Sequence, residues 1–253
     1  MDLSPEQADI VAAPLGPLSV LACAGSGKTR TAVLRLAELR AKILGNRRHV
    51  ALLSFSNVAV NAFKSQFAAL LRARRDLSST ARVTIETVDA FITNSIIRPH
   101  AYRTMGSART PFLLSGREPF LENPKFRFWV RFPKSTAARP VPVKDISVFF
   151  VDGVPGFWYA PPNGQPLRVE NGHAAAQALA KIGAYSHEIG AYWAYRTLRE
   201  QPAVLRALSH RYPHILVDEA QDIGQVHQAI LQLLASCHTA LSLIGDPCQA
   251  IYE

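Results

Sequence analysis

Short apolar runs alternate with amphipathic stretches along much of this chain, and the period of each run predicts its element. Ser4-Pro5-Glu6-Gln7 has the form of a helix start, with Ser4 as N-cap, Pro5 at the first helical position and Gln7 placed to close a capping box. That helix is expected to reach about Ala13. Leu18-Ser19-Val20-Leu21-Ala22 reads as a strand closed by a Gly-rich turn, after which Val33, Leu36, Ala37 and Leu39 recur at helical spacing within residues 29–43. The unit repeats with a strand over residues 50–55 and a helix over 58–72, then a strand over 82–85 and a helix over 90–97. Near the C-terminus, strands at 215–217 and 240–244 flank a helix at about 225–235. Short buried strands alternating with helices predict an α/β fold, a parallel sheet with helices on both faces.

Residues 99–171 break this rhythm. They are rich in Pro, Gly and aromatics, with apolar segments at 146–151 and 156–159 around an Asp152-Gly153 turn signal, which predicts an inserted, partly β subdomain. From His173 to about Leu208 the pattern is helical again, and Ile189, Tyr192, Trp193 and Leu198 offer one apolar face. The expected organisation is one α/β domain from 1–97 and 209–253, interrupted by a mixed α/β insertion at 98–208.

At 253 residues and 48% hydrophobic, the chain has enough apolar surface for one large domain with an insertion or for two small ones. No apolar run approaches membrane-spanning length and the N-terminus lacks the build of a signal peptide, so a soluble, cytoplasmic protein is expected. Cys23, Cys237 and Cys248 have neither zinc-site nor disulfide spacing, which fits a reducing compartment. The net charge of +9 is uneven: residues 98–144 hold ten Lys/Arg against Glu118 and Glu122. That stretch is a candidate polyanion surface, with a merely solvated basic face as the alternative.

Three strand ends carry chemistry. Ala22-Cys23-Ala24-Gly25-Ser26-Gly27-Lys28-Thr29 has the layout of a phosphate-binding loop, with Ala22 where the general pattern has its first Gly. Small residues let the backbone of Ala24, Gly25, Ser26 and Gly27 turn tightly around phosphate oxygens, Lys28 reaches the β- and γ-phosphates, and the Thr29 hydroxyl suits Mg²⁺. The bland alternative is a strand-to-helix turn without a ligand. Ile215-Leu216-Val217-Asp218-Glu219 ends a strand in two carboxylates, Asp218 suited to Mg²⁺ and Glu219 to activating water. Gly245-Asp246-Pro247-Cys248-Gln249 follows a third strand and places Gln249 to sense the γ-phosphate, or is simply a turn.

Taken in order, Gln7, the loop at 22–29, Ser54-Phe55-Ser56-Asn57-Val58-Ala59, Thr87-Val88-Asp89-Ala90-Phe91, Asp218-Glu219-Ala220-Gln221-Asp222 and Gly245-Asp246-Pro247-Cys248-Gln249-Ala250-Ile251-Tyr252 resemble the N-terminal motor domain of UvrD/Rep-type superfamily 1 DNA helicases. The resemblance implies a RecA-like P-loop NTPase domain that uses ATP and Mg²⁺ and acts on single-stranded DNA, in repair or phage defence. It implies that Gln7 reads adenine, that Arg30 lies near the nucleotide, and that Gln221 and Gln249 couple the γ-phosphate to DNA. Phe55, Ser56, Asn57, Thr87, Asp89 and Tyr252 would line a single-strand track; Phe55 could equally be a core residue, and Phe91 is favoured as one.

Val58 stands where the family often has Lys, which removes one phosphate contact. Family members carry a second motor domain that completes the ATP site with arginines; these 253 residues contain no match to it, so low ATPase activity is expected of them alone, with that domain supplied in trans or by further sequence. A nuclease partner is compatible with the resemblance. The rival readings are an ATP-gated switch that binds DNA or a nuclease without unwinding, and a small-molecule kinase, which the acidic and glutamine motifs fit less well.

Overall fold

Local chemistry sets the first element boundaries in the computed structural model, which describes residues 3–23, 25–43, 48–73, 82–161 and 164–246. Helix α1 (Pro5–Ala12) begins with a complete capping box: the Gln7 N–H donates to Ser4 Oγ, and the Ser4 N–H donates back to Gln7 Oε1. Strand β1 (Leu18–Leu21) leads through Gly25 and Gly27, both at positive φ (76° and 81°), into α2 (Lys28–Lys42). Strand β2 (Val50–Ser54), α3 (Asn57–Ala73), β3 (Val83–Thr87) and the short α4 (Val88–Ile92) follow.

The helix expected over 90–97 departs from its pattern: α4 passes into a nine-residue π-helix, Thr93–Ala101, and then α5 (Tyr102–Met105). Pro99 lies inside the π stretch; without an N–H it cannot join an α-type ladder, so the tighter helix has less to gain there. The chain continues through β4 (Phe112–Leu113), β5 (Phe128–Val130), β6 (Arg139–Val141), β7 (Ile146–Val151), β8 (Val154–Tyr159), β9 (Leu167–Arg168), α6 (Gly172–Lys181), β10 (Ala184–Tyr185) and α7 (His187–Glu200). It closes with α8 (Pro202–Arg211), β11 (His214–Asp218), α9 (Gln225–Ser236) and β12 (Ala240–Gly245).

These elements form two compact units, the first comprising Met1–Phe91, Leu205–Gly224 and Leu231–Glu253, the second Ile92–Val204 with Gln225–Ile230. In the first, a five-stranded parallel sheet runs β1-β12-β11-β2-β3, flanked by helices. The α/β fold is the one the alternating pattern predicts. Strands β2 and β11 are buried along their whole length, as a central parallel strand covered on both faces must be, and both are nearly continuous apolar runs. Ala32, Val33, Leu36, Ala37 and Leu39 of α2 pack in one core with Leu52, Leu216 and Ile244, which anchors the helix behind the glycine turn against the sheet. Phe91 is 1% exposed and meets Tyr212 edge-on at 5.0 Å, so it is a core residue.

The second unit holds a three-stranded antiparallel sheet, β7-β8-β9, and the β5-β6 pair. Asp152 and Gly153, at φ 52° and 76°, make the tight turn between β7 and β8, the hairpin that their sequence signals. Ile189, Tyr192, Trp193 and Leu198 of α7 are all buried. No helix among the described residues is long and apolar enough to cross a membrane.

Candidate nucleotide site

The order of strands in the first unit brings together ends that are far apart in sequence. Strand β12 lies between β1 and β11, with Leu21 opposite Gly245 and Asp218 opposite Ile244, and the Ala22 N–H donates to the Gly245 carbonyl at 3.0 Å. The glycine turn after β1, the acids after β11 and the turn after β12 therefore share one carboxyl edge, the usual ligand edge of a parallel sheet. The first-turn amides of α2, including those of Lys28 and Thr29, have no intrahelical carbonyl to bind and carry the positive end of the helix dipole. Gly27 accepts from both the N–H and the hydroxyl of Thr31, which ties the turn to the helix.

Lys28 Nζ sits 3.9 Å from Glu219 Oε2 and 3.9 Å from Asp246 Oδ2, with its side chain 14% exposed. These loose pairs hold a positive charge at the mouth of the turn without using up its donors. Gln221 links the two acids, donating from Nε2 to Glu219 Oε2 at 2.7 Å while its Oε1 accepts from the Asp246 N–H at 3.1 Å. Glu219 is held at φ 53°, a left-handed backbone that costs a non-glycine residue about 1–2 kcal/mol and is typical of functional turns.

Asp218, 6% exposed, has its carboxyl pushed up to about 6 by burial and by the neighbouring Glu219 charge, against the Glu219 N–H and Lys28, which lower it. A buried acid so disfavoured as an anion gains when a cation is bound beside it. Among the described residues no group of three or more His, Cys, Asp or Glu could cage a metal by itself. That donor set fits Mg²⁺, which takes one or two protein oxygens and leaves its other positions to water and phosphate. Thr29, half-buried in the first turn of α2, is the other candidate oxygen.

A cavity of about 290 Å³ opens beside the turn, lined by Gln7 and Ser4 of the α1 start, by Ile10, Val20 and Leu21, and by Ser26 and Lys28. Gln7 does more than cap its helix. Its Nε2 also donates to the Ser26 carbonyl at 2.8 Å, and a Cβ on Gly27 would stand 2.9 Å from that nitrogen. Arg30 is exposed on α2, and Cys23 is an exposed free thiol beside the cavity. Ala24, Gln249 and Tyr252 lie outside the described residues, as does Cys248.

Of the residues expected to line a DNA track, Phe55, Ser56, Asn57, Thr87 and Asp89 fall at the same sheet edge, beyond β2 and β3, where Ser54 pairs with Thr87. Phe55 is half-buried, and Ser56, Asn57 and Asp89 are exposed. Ser56 Oγ accepts from the Ala59 N–H and Thr87 Oγ1 from the Ala90 N–H, so each hydroxyl first starts a helix and keeps its own proton to donate. Val58 is 81% exposed beside them. In the second unit, every Lys and Arg of the 98–144 stretch is exposed except the half-buried Arg127, and Arg131 pairs with Glu170 at 2.9 Å.

The sequence places Asp246 within a motif but by itself assigns it no role, and it leaves the Ile10, Val20 and Leu21 wall unassigned. A signal for Asp246 is its place one residue past an apolar strand, as with Glu219. Its meeting with Lys28 depends on β12 lying beside β1.

The UvrD/REP helicase N-terminal domain model matches residues 3–125 and 175–253. The chain belongs to this family. It is similar to a putative ATP-dependent DNA helicase, YjcD, of Bacillus subtilis, 26% identical over 99% of this chain and 32% of that protein. It is also similar to DNA helicase II of Haemophilus influenzae, 25% identical over 99% of this chain and 34% of the relative. A shorter stretch, 24% of the chain, is 39% identical to part of an ATP-dependent helicase/nuclease protein of Natranaerobius thermophilus. The chain spans about a third of the length of the first two relatives. The UvrD/REP match leaves residues 126–174 uncovered, a stretch within the second unit that includes the β7–β8 hairpin.

Proposed function

We propose that this UvrD/REP helicase N-terminal domain binds and hydrolyses Mg-ATP and couples that cycle to single-stranded DNA, as the ATP-dependent DNA helicases it is similar to suggest. The observation that carries the reading is Lys28, poised 3.9 Å from both Glu219 and Asp246 at the mouth of a glycine turn. The turn amides and Lys28 hold the phosphates, and Glu219 orients and deprotonates the attacking water. Asp218 and Thr29 would hold Mg²⁺, which would supply positive charge against the phosphate oxygens. Gln221 keeps the Glu219 carboxylate aimed while linking it to the end of β12.

The base is read by Gln7. Its amide has two N–H donors and two lone pairs. One donor is spent on the Ser26 carbonyl and one lone pair on the Ser4 N–H, which leaves one of each. Adenine offers the complementary pair at N7 and its 6-amino group, whereas guanine presents acceptors at both positions. Ile10, Val20 and Leu21 supply an apolar wall for the ring.

On the DNA side, Ser56 and Thr87 donate their remaining hydroxyl protons to phosphates, and Phe55 stacks on a base. The exposed basic stretch of the second unit adds attraction that salt weakens. Titration of a fluorescent ATP analogue against wild type, Lys28→Ala and Gln7→Ala tests the nucleotide site. A charge-assisted contact contributes roughly 1.5–3 kcal/mol, so Lys28→Ala should weaken binding about 10- to 100-fold. Gln7→Ala should narrow the preference for ATP over GTP. Unchanged ATP affinity in Lys28→Ala would overturn the reading.

A further inference from the structure

Helix α1 is poorly built to hold a recognition residue steady. It has eight residues and none of them is buried. A helix that short is marginal in water, and most protein helices are held by an apolar face packed on a core. Ile10 and Val11 are only half-covered, so hydrophobic docking is a small part of what keeps α1 in place. What holds it is polar and comes from α2, the helix that follows the phosphate turn.

Arg35 lies on the buried side of α2, between Val33 and Leu36, and is 1% exposed. Its guanidinium faces the C-terminal end of α1. Nη1 donates to the Val11 carbonyl at 3.2 Å and to the Ala13 carbonyl, and Nη2 donates to the Pro14 carbonyl at 2.8 Å. Lys42, further along α2, adds Nζ contacts to the Ala12 and Ala13 carbonyls at 3.2 and 3.4 Å. The last carbonyls of a helix lack intrahelical donors and carry the negative end of its dipole, so a fixed cation with several N–H groups suits them. Arginine presents its donors in a rigid planar fork, which a single ammonium cannot copy.

The other end of α1 is pinned to the phosphate turn by Gln7, through Ser26 and against Gly27. An eight-residue helix is a rigid rod of about 12 Å, so two pins fix its tilt and its distance from the turn. Both pins attach to α2 or to the turn that opens it. The base-reading amide and the phosphate-binding turn are thus tied into one body.

We infer that Arg35 is a positioning residue for base recognition, holding the carbonyl end of α1 so that Gln7 stays seated on the phosphate turn with its free donor and acceptor facing the base. Arg35 does not touch the nucleotide. Its effect passes through α1, and the inference rests on the assignment of Gln7 to adenine given above. Burial lowers the Arg35 pKa and Glu38 opposes that shift; the carbonyl contacts pair Nη1 and Nη2 of the buried cation, while Nε is buried without a hydrogen-bond partner among the described residues.

The test has two arms on the 253-residue chain. Hydrogen exchange on the nucleotide-free protein, followed by mass spectrometry, reads peptides covering residues 3–13 in wild type, Arg35→Met, Arg35→Lys and Lys42→Ala. Arg35→Met should raise exchange in α1 at least about tenfold while β2 and β11 peptides keep their protection, with Arg35→Lys intermediate. In the second arm, Arg35→Met should lower ATP affinity about 5- to 20-fold and narrow the preference over GTP, while affinity for inorganic tripolyphosphate stays within about twofold. Adding Gln7→Ala to Arg35→Met should cost little more than either change alone, because both remove the same contact. Unchanged α1 exchange, or equal losses for ATP and tripolyphosphate, would overturn the inference. A wild-type protein indifferent to ATP and GTP would instead sink the reading of Gln7, and the exchange arm would still judge the clamp. If Arg35→Met does not fold, Lys42→Ala, on an exposed side chain, should show a two- to threefold shift of the same kind, and no shift in α1 would count against the clamp.

Discussion

His214 gives the first unit a pH dependence whose size follows from its surroundings. It opens β11, is 1% exposed, and its Nε2 lies 2.8 Å from Ser242 Oγ on β12, while Nδ1 is buried without a hydrogen-bond partner among the described residues. The inexpensive tautomer puts the proton on Nε2, donating to Ser242, and leaves Nδ1 as a bare lone pair. Protonating Nδ1 would bury an N–H with nothing to receive it, beside the Arg35 cation. Burial first and Arg35 second push the His214 pKa from 6.5 down to about 4. Between those values the unfolded chain binds the proton and the folded chain does not, so stability from this residue is present above pH 6.5 and is lost as pH falls toward 4. At pH 5 the loss is about 2 kcal/mol, and the full shift corresponds to about 3 kcal/mol. Asp218, with its pKa raised, runs in the opposite sense, so the wild-type curve by itself is a poor readout. The measurement is urea unfolding of wild type and His214→Gln at pH 7.5 and pH 5. Glutamine can keep a hydrogen bond to Ser242 and cannot ionise, so the gap between the two proteins should move by about 2 kcal/mol in favour of the variant at pH 5. Parallel curves would refute the reasoning.

Two further substitutions address the site. Glu219→Gln keeps a side chain that can accept from Gln221 but removes the proposed base; ATP affinity should stay within about threefold while turnover with single-stranded DNA falls roughly 10²- to 10⁴-fold, and undiminished turnover would remove Glu219 from its role. Gly27→Ala meets a φ of 81° and the Gln7 nitrogen 2.9 Å from the new carbon. A destabilisation of about 1–2 kcal/mol in chemical unfolding is expected, together with loss of the ATP-over-GTP preference as Gln7 is displaced, and a variant as stable and selective as wild type would contradict the geometry.

Much of the local structure around the candidate site was legible because its signals are local. The Ser4 to Gln7 capping box, the positive-φ glycines before Lys28, the apolar run ending at Asp218 and the Asp152-Gly153 hairpin turn each depend on a few neighbouring residues, and all take the form their spacing predicts. Residue type and short-range backbone geometry determined them. The π-helix was not legible, since its register depends on what a wider turn containing Pro99 can pack against. Lateral strand order was decided only in three dimensions: β12, last in the described chain, inserts between β1 and β11, and that placement brings Asp246 to Lys28 across more than two hundred residues. Arg35 makes the same point from inside a helix. A charge on an apolar face is visible in the sequence, but its partners are backbone carbonyls of another helix, which carry no sequence signature, so only packing could show what it holds.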